Sequence, residues 1–199
     1  MGNREDLIAG AKRCLIEKGY ARTTARDIAA ASGVSLAAIG YHFGSKDALM
    51  NQAVYESVGE WADRLQHELT AEGAADAEPL RRFESIMRQT IESFGGPERG
   101  LWAAQLELMS LLGDNQDLRT FLAGIQPEAV TGMAELFLHI DPAADPEAAR
   151  LAGSVLHAFF IGVMVKWFMD AKQVPPAREL AEGLQIIAER ITGKDRQDA

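Results

Sequence analysis

The sequence predicts an all-α protein of about nine helices, in which a three-helix segment at residues 1–48 precedes a larger helical region at residues 49–199. Apolar residues recur every three or four positions along most of the chain, which is the period of an amphipathic helix. Glycine and proline pairs divide these stretches into helical lengths. No stretch has the apolar-polar alternation of a half-buried strand.

The first helix is predicted from Arg4 to Lys18 and ends at Gly19. One side of it is apolar and comprises Leu7, Ile8, Ala11, Leu15 and Ile16. We expect this side to support the two short helices that follow. The single cysteine of the chain, Cys14, excludes an intrachain disulfide and is expected to fill a gap in the core.

The stretch from Thr24 to Leu49 is predicted to form two short helices joined by a tight turn, followed by the start of another helix. Thr24 and Asp27 have the spacing of a capping box, in which side-chain oxygens accept hydrogen bonds from free backbone N–H groups. Gly33 is the residue type best able to adopt the left-handed conformation that ends a helix. This pattern is typical of a helix-turn-helix.

The second short helix is expected to begin with Ser35 as its N-cap and to direct Ile39 and Phe43 inward. In a helix-turn-helix this helix enters the major groove of DNA, and its N-terminal residues meet base edges. Those residues are Ser35, Leu36, Ala37 and Ala38. Their side chains can contact thymine methyl groups but cannot form the arginine fork to guanine. Specificity is therefore expected partly from DNA shape, or from neighbours such as Arg26.

The run TTARDIAAASGVS, together with YHFGSKDAL, resembles the N-terminal DNA-binding segment of the TetR family of bacterial transcriptional regulators. The resemblance rests on a helix cap, a turn glycine, an aromatic pair and a lysine at the next helix start, over roughly the first quarter of the chain. It implies phosphate contacts from Thr24, Tyr41, His42 and Lys46. The alternative for Tyr41 and His42 is that they only pack the motif.

Position 40 departs from the family pattern, because Gly40 stands where an aromatic residue is usual and Tyr41 lies next to it. Glycine inside a helix costs about 1 kcal/mol relative to alanine. We therefore expect the C-terminal half of this helix to be pliable until DNA holds it. The full set of predicted DNA contacts is Thr24, Arg26, Ser35, Leu36, Ala37, Ala38, Gly40, Tyr41, His42 and Lys46.

Charge is distributed unevenly along the chain. The formal net charge is −9, yet residues 1–50 carry seven Lys or Arg and five Asp or Glu, a net charge of +2 that leaves −11 on the remainder. A basic end can approach phosphates while an acidic body stays away from them. The alternative is chance variation in surface charge.

The remaining helices are predicted at residues 45–69, 79–94, 98–112, 116–140, 146–170 and 180–191. The helix at residues 45–69 would run from the DNA-binding segment into the larger helical region and would link these two regions mechanically. Pro127 is expected to kink or divide the fourth. Asp145 is expected to cap the fifth, with Pro146 at its first position.

Aromatic and methionine side chains are concentrated in the middle helices. The family resemblance implies a pocket there for a small hydrophobic effector, walled by adaptable methionines and flat aromatic rings. The side chains assigned to it are Phe83, Met87, Phe94, Trp102, Leu106, Met109, Phe121, Met133 and Phe137. The alternative is a plain hydrophobic core, which has the same periodicity.

The most apolar stretch, residues 148–170, is nearly long enough to cross a bilayer. His157 and Lys166 interrupt it, and a charge at the bilayer centre costs at least ~3 kcal/mol. We therefore expect a helix buried on two sides, which forms a four-helix dimer interface with the last helix. The interface residues are Leu151, Val155, Phe159, Val163, Trp167, Leu180, Leu184, Ile187 and Ile191. The alternative is burial within one subunit.

No motif in the sequence indicates catalysis, and the histidines lack metal-ligand spacing. We expect no enzyme activity, no metal and no cofactor. We expect a cytoplasmic homodimeric repressor that binds palindromic double-stranded operator DNA and is released when a ligand shifts the spacing of its recognition helices. The alternatives are the same fold controlled by a protein partner, or a helical enzyme or ligand carrier with a DNA-binding module.

Overall fold

The computed structural model describes residues 3–71, 73 and 77–193, and this part of the chain contains α-helices, one 3-10 helix and no strand. The helices are α1 (Asn3–Lys18), α2 (Ala25–Ser32), α3 (Leu36–Phe43), α4 (Lys46–Ala71), α5 (Pro79–Gly95), α6 (Arg99–Ser110), α7 (Gln116–Leu138), α8 (Pro146–Met169) and α9 (Ala177–Thr192), with the 3-10 helix at Ala171–Gln173. The predicted all-α fold with an N-terminal helix-turn-helix is confirmed.

The chain forms two compact units. The first unit comprises Met1–Arg64 and Ser93–Ala129, and the second comprises Leu65–Glu92 and Val130–Ala199. The helix-turn-helix therefore shares a unit with the start of α4, with α6 and with the first half of α7. The predicted domain boundary after residue 48 stays a prediction.

α1 lies at the centre of the first unit. Its buried side chains join a hydrophobic cluster with residues of α2, α3, α4, α6 and α7, namely Leu7, Ile8, Ala11, Cys14, Leu15, Tyr20, Ile28, Ile39, Leu49, Met50, Ala53, Val54, Leu101, Ala104, Leu108 and Leu118. Cys14 fills a place in this core, as predicted. Burial of this apolar surface holds the short helices α2 and α3, which are too short to be stable alone.

Two further contacts fix α1 against its neighbours. A Cβ atom added to Gly10 would lie 2.8 Å from the Cβ of Ser32, so α1 and α2 pack with their backbones close together. Lys12 lies on another side of α1, and its Nζ is 3.0 Å from Glu56 Oε2 and 2.8 Å from Glu60 Oε1 on α4. α1 is therefore held by close packing on one side and by ion pairs on another.

The second unit has its own aromatic core. The ring centroid of Phe83 on α5 lies 5.5 Å from that of Phe137 on α7 and 6.0 Å from that of Phe159 on α8. Arg82 is buried beside them, and its Nε donates to the carbonyl oxygen of Leu136 at 2.8 Å. This bond satisfies part of a buried cation with a carbonyl near the C-terminal end of α7, where helix carbonyls lack partners within the helix.

α7 differs from its prediction. Pro127 lies inside the helix and does not divide it, because a proline removes only one N–H donor and the helical bonds on both sides can persist. A kink at Pro127, the other effect expected from the sequence, stays a prediction. The helix ends at Leu138 rather than at Ile140, since His139 adopts a left-handed conformation with φ 54°. The N–H of His139 donates to the carbonyl oxygen of Glu135, which closes the last turn.

α8 begins as predicted. Asp145 accepts a hydrogen bond from the Ala148 N–H at 3.0 Å, and Pro146 occupies the first helical position. α8 is the one helix of the described residues that is long and apolar enough to cross a membrane, by length and composition alone. A single such helix is weak support for a membrane span, because core and interface helices of other proteins have the same composition.

Gly153 on α8 lies in close contact with the backbone of α7. A Cβ atom there would lie 2.0 Å from the carbonyl oxygen of Val130. We predict that Gly153→Ala lowers the free energy of unfolding by about 3 kcal/mol, because the two backbones must separate. The control is Gly132→Ala on α7, where nothing lies within 4 Å of the new Cβ. It should raise stability by about 0.5–1 kcal/mol, and urea unfolding measures both.

Candidate nucleic-acid interface

The capping box at the start of α2 forms as the sequence predicts. The Asp27 N–H donates to Thr24 Oγ1 at 3.2 Å, and the Thr24 N–H donates to Asp27 Oδ2 at 2.9 Å. The Thr24 hydroxyl also donates to Asp27 Oδ2, at 2.7 Å. Both donors of Thr24 are therefore directed to Asp27, although Thr24 itself is exposed.

Asp27 has a second partner on α1. Lys18 Nζ lies 2.5 Å from Asp27 Oδ1. The hydrogen bond from Lys18, followed by those from Thr24, holds the pKa of Asp27 well below its ordinary value. The ionised carboxylate thus connects the end of α1 to the start of α2.

The turn between α2 and α3 depends on a left-handed residue. Gly33 has φ 71° and ψ 12°, and its N–H donates to the carbonyl oxygen of Ala29 at 3.0 Å. The Val34 N–H donates to Ser32 Oγ at 3.2 Å. A residue with a Cβ would be strained at position 33, so the glycine is required by the backbone.

Ser35 occupies the N-cap position of α3, but its side chain makes no capping hydrogen bond. The predicted N-cap position is therefore confirmed, whereas the side-chain hydrogen bond typical of a serine cap does not form. The Ala38 N–H donates to the backbone carbonyl oxygen of Ser35 at 3.0 Å, which closes the first turn without the side chain. The hydroxyl stays on an exposed residue at the start of the helix.

The two faces of α3 differ in exposure. Ile39 is buried and Phe43 packs against the core cluster, with the Arg4 guanidinium 5.2 Å from the Phe43 ring centroid. Tyr41 is 86% exposed and Leu36 is 48% exposed. The other predicted contacts on α3 and its cap are exposed at Ser35, Ala37 and Gly40 and half-buried at Ala38 and His42.

Gly40 lies on the exposed side of α3, and a Cβ atom added there would have open space around it to at least 4 Å. The helix ends at Phe43, and its C-cap residue is Gly44, which has φ 76° and whose N–H donates to the carbonyl oxygen of Gly40. Tyr41 makes an edge contact with His42, with ring centroids 4.9 Å apart. The pliability expected for this half of α3 stays a prediction.

Lys46 is tied to the turn between α1 and α2. Its Nζ lies 2.8 Å from Asp47 Oδ1, 3.4 Å from the carbonyl oxygen of Thr23 and 5.5 Å from the ring centroid of Tyr20. The Tyr20 hydroxyl donates to Asn51 Oδ1 at 2.7 Å, and burial raises the pKa of Tyr20. Lys46 therefore lies at the end of the turn that leads to Thr24, and the exposed Arg26 follows two residues after Thr24. All three residues belong to the first unit.

One contact of the turn between α1 and α2 was not predicted from the sequence. The backbone N–H of Ala21 donates to Glu107 Oε2 on α6 at 2.8 Å, across a separation of 86 residues. A local sequence pattern relates residues only a few positions apart, so it cannot indicate this bond. Glutamates on helix surfaces are also common, so the type of residue at position 107 gives no signal.

The residues assigned to an effector pocket are divided between the two units. Phe94, Trp102, Leu106, Met109 and Phe121 belong to the first, and Phe83, Met87, Met133 and Phe137 belong to the second. Within the first unit, the ring centroids of Phe94 and Trp102 are 5.5 Å apart, and Trp102 Nε1 donates to Ser93 Oγ at 3.0 Å. The assignment of these side chains to a pocket stays a prediction.

The residues assigned to a dimer interface differ in burial. Val155 on α8 is 67% exposed and Ile187 on α9 is 54% exposed, and Leu151 and Ile191 are exposed as well. Val163 is buried within the subunit. The others, Phe159, Trp167, Leu180 and Leu184, are half-buried. Val163 therefore has little exposed surface in a single subunit, and the assignment of these side chains to a dimer interface stays a prediction.

Metal-ligating residue types do not cluster in the described part of the chain, where no group of three or more His, Cys, Asp or Glu side chains could hold an ion. His157 is half-buried on α8, and burial lowers its pKa. Burial favours the uncharged form of an imidazole, which explains the direction of this shift.

Comparison with known families identifies the N-terminal segment. A family model described as "Bacterial regulatory proteins, tetR family" matches residues 7–53. This range contains the capping box, the turn at Gly33, α3 and Lys46, so the match coincides with the helix-turn-helix seen in the structure.

Among curated relatives, the transcriptional repressor AcnR of Corynebacterium efficiens is 28% identical over 120 residues, 60% of this chain and 55% of the relative. The transcriptional regulator TtgR of Pseudomonas putida is 35% identical over 88 residues, 44% of this chain and 40% of the relative. The matches thus span about half the length of these relatives. The first relative is named as a transcriptional repressor and the second as a transcriptional regulator.

Solved structures extend the likeness to nearly the whole chain. The multidrug binding protein EbrR complexed with proflavin has a TM-score of 0.63 at 24% identity, covering 92% of this chain and 99% of that one. A TetR-family regulator from Rhodococcus sp. has a TM-score of 0.66 at 19% identity, covering 94% of this chain and 98% of that one. At these identities the likeness establishes a shared fold.

The ion pair at Asp27 gives a prediction with a defined pH window. Because the pKa of Asp27 is lowered on folding, its ionised form stabilises the protein above the unfolded pKa of about 3.9, and this stability is lost as the pH falls through the folded pKa. We expect Asp27→Asn to lower the melting temperature most between about pH 5 and 7, and the difference from wild type to shrink towards about pH 2.

Thermal unfolding across this pH range measures the effect. Lys18→Met is the matched control, because it removes the largest cause of the lowered pKa and should also weaken the pH dependence. Parallel pH profiles for wild type and Asp27→Asn would contradict the role of the carboxylate.

Proposed function

We propose that this chain, which belongs to the TetR family of bacterial regulatory proteins, is a transcriptional regulator that binds duplex DNA by placing α3 in the major groove. The observation that carries the proposal is the exposure of α3: Tyr41 and Leu36 face outward while Ile39 is buried. A helix held by one buried face presents the other to base edges. The match of residues 7–53 to the family supports the same assignment.

The contacts divide by chemistry. Tyr41, Arg26, Lys46 and the N–H groups at the start of α2 are suited to phosphates, because hydroxyls, cations and free helix N–H groups bind anions without reading sequence. Thr24 and His42 complete this proposed set. Ser35, Leu36, Ala37, Ala38 and Gly40 form the side of α3 that would face the bases. Their short side chains favour thymine methyl contacts and readout of DNA shape.

The regulator is proposed to act as a cytoplasmic homodimeric repressor at a palindromic operator. Exposed apolar side chains on α8 and α9, including Val155 and Ile187, would be covered by the same helices of a second copy. A dimer of this kind places two copies of α3 on half-sites about 34–36 Å apart, or a multiple of that distance. One copy alone buries little surface for specific binding.

A small hydrophobic ligand is proposed to release the operator. Aromatic and methionine side chains supply apolar interiors in both units, with Trp102 fully buried in the first. The structural neighbour EbrR is described as a multidrug binding protein complexed with proflavin. Proflavin is therefore the probe: it should quench tryptophan fluorescence in a saturable way, measured without DNA because this dye also intercalates. An absence of saturable quenching would contradict this ligand class.

Tyr41 offers the clearest test of DNA binding, because it is 86% exposed and its loss leaves the core unchanged. The duplex is first selected from a random-sequence pool with wild-type protein at low salt. We expect Tyr41→Phe to weaken binding to it about tenfold through loss of one hydrogen bond to a charged phosphate. Lys46 is a poorer choice for substitution, since it contacts Thr23 and Tyr20. Its loss could change the stability of the fold as well as the affinity for DNA.

Fluorescence anisotropy across a salt series measures the affinity, and a melting curve checks that stability is unchanged. The control His67→Ala, an exposed substitution on α4 in the second unit, should bind like wild type. Failure of wild-type protein to select any duplex would overturn the proposed function. Normal binding by Tyr41→Phe would overturn only the phosphate contact of Tyr41.

The dimer is tested by charge placed on the exposed face of α8 and α9. We expect Val155→Glu and Ile187→Glu each to convert a dimer into a monomer in sedimentation velocity at micromolar protein, because burying an unpaired carboxylate costs more than the roughly 2–7 kcal/mol of an unpaired neutral polar group. Leu111→Glu is the control, an exposed apolar residue of the first unit. A wild-type monomer, or dimers in all three variants, would contradict the interface.

A further inference from the structure

We propose that Glu107 is a positioning residue for DNA binding, which holds the turn between α1 and α2 from α6 by accepting a backbone hydrogen bond. The inference rests on the proposed function and adds a residue that lies outside the matched segment 7–53. Glu107 is not assigned a contact with DNA. Its role is to fix the backbone from which the phosphate-binding groups project.

The central observation is the bond to Ala21. The Ala21 N–H donates to Glu107 Oε2 at 2.8 Å, which is the length of a charge-assisted hydrogen bond. The other carboxylate oxygen, Oε1, lies 3.4 Å from the position of a Cβ on Gly19. Gly19 itself has φ 80°, so this turn leaves α1 through a left-handed residue with the carboxylate against it.

A second contact on the same face of α6 supports the first. A Cβ atom on Gly100 would lie 3.3 Å from the carbonyl oxygen of Ile16 and 3.4 Å from its Cα. Gly100 and Glu107 are two helical turns apart and therefore point the same way. The backbone of α6 at Gly100 thus contacts the last helical turn of α1. The side chain of Glu107 contacts the loop that follows α1.

The held turn leads directly to the proposed phosphate contacts. Ala21 precedes Thr24, the N-cap of α2, by three residues. Between them Thr23 is buried, its hydroxyl donates to the carbonyl oxygen of Gly19 at 2.7 Å, and its own carbonyl accepts from Lys46. A shift of the backbone at Ala21 would be passed to Thr24 and to the carbonyl that positions Lys46.

A role of Glu107 through its charge and a role through its position predict opposite changes in DNA affinity when the residue is removed. A carboxylate near a DNA-binding surface repels phosphates, so its removal should strengthen binding if charge alone matters. If Glu107 acts by position, its removal should weaken binding despite the gain in net positive charge. The sign of the change therefore distinguishes the two roles.

Three variants separate the acceptor from the charge. Glu107→Ala removes both, Glu107→Asp keeps the charge but is too short to reach Ala21, and Glu107→Gln keeps an oxygen acceptor without the charge. We expect the first two to bind the selected duplex about tenfold more weakly than wild type. Glu107→Gln should stay within about twofold. Glu17→Ala, which removes an exposed acid on α1, is the charge control and should bind equally or more tightly.

Anisotropy titrations give the affinities, and amide hydrogen exchange at Ala21 gives a readout independent of DNA. Exchange should be faster in Glu107→Ala and Glu107→Asp and unchanged in Glu107→Gln, because only the last retains the acceptor. Should Glu107→Ala not fold, Glu107→Asp carries the test. Wild-type affinity in Glu107→Asp, or an equal loss in Glu107→Gln, would overturn the proposal. If wild-type protein binds no duplex, the proposed function itself has failed, which is a distinct result.

Discussion

α1 makes contact with α2 and α6 at points where no side chain separates the backbones. On one side of α1, the absence of a side chain at Gly10 allows Ser32 of α2 to pack against the helix backbone. On another side, Gly100 of α6 packs against the backbone of Ile16. Lys12 adds ion pairs to α4. Two helices of eight residues each cannot stand alone in water, so the orientation of α2 and α3 depends on this close packing around α1. A larger residue at either glycine would move the helices that the proposed function needs in place.

Asp27 introduces an acidic group into a surface proposed to bind phosphates. Its carboxylate holds both donors of Thr24 and pairs with Lys18, so a phosphate has to compete with this carboxylate for the threonine hydroxyl. The free N–H groups at the start of α2, with Arg26 and Lys46 beside them, are then the more available phosphate ligands. The capping box thus stabilises α2 and also decides which of its groups remain open to DNA.

Local signals in the sequence predicted the local structure. The capping box at Thr24 and the left-handed Gly33 depend on residues a few positions apart, and both form as expected. Ser35 shows the limit of such signals, since its type suits an N-cap but its hydroxyl makes no cap bond. The bond from Ala21 to Glu107 could not be predicted, because it joins residues brought together only by packing. Periodicity likewise predicts that Phe83 or Val163 is buried, but not which surface buries it.

The side of α3 that faces away from the core carries mostly short side chains, and position 40 has open space around it. Under the proposed function, a longer side chain placed there reaches outward without disturbing the interior. Single codon changes at Ala37 or Gly40 could therefore add a base contact while the scaffold keeps its stability. Such a scaffold can acquire a new target sequence after gene duplication in few evolutionary steps.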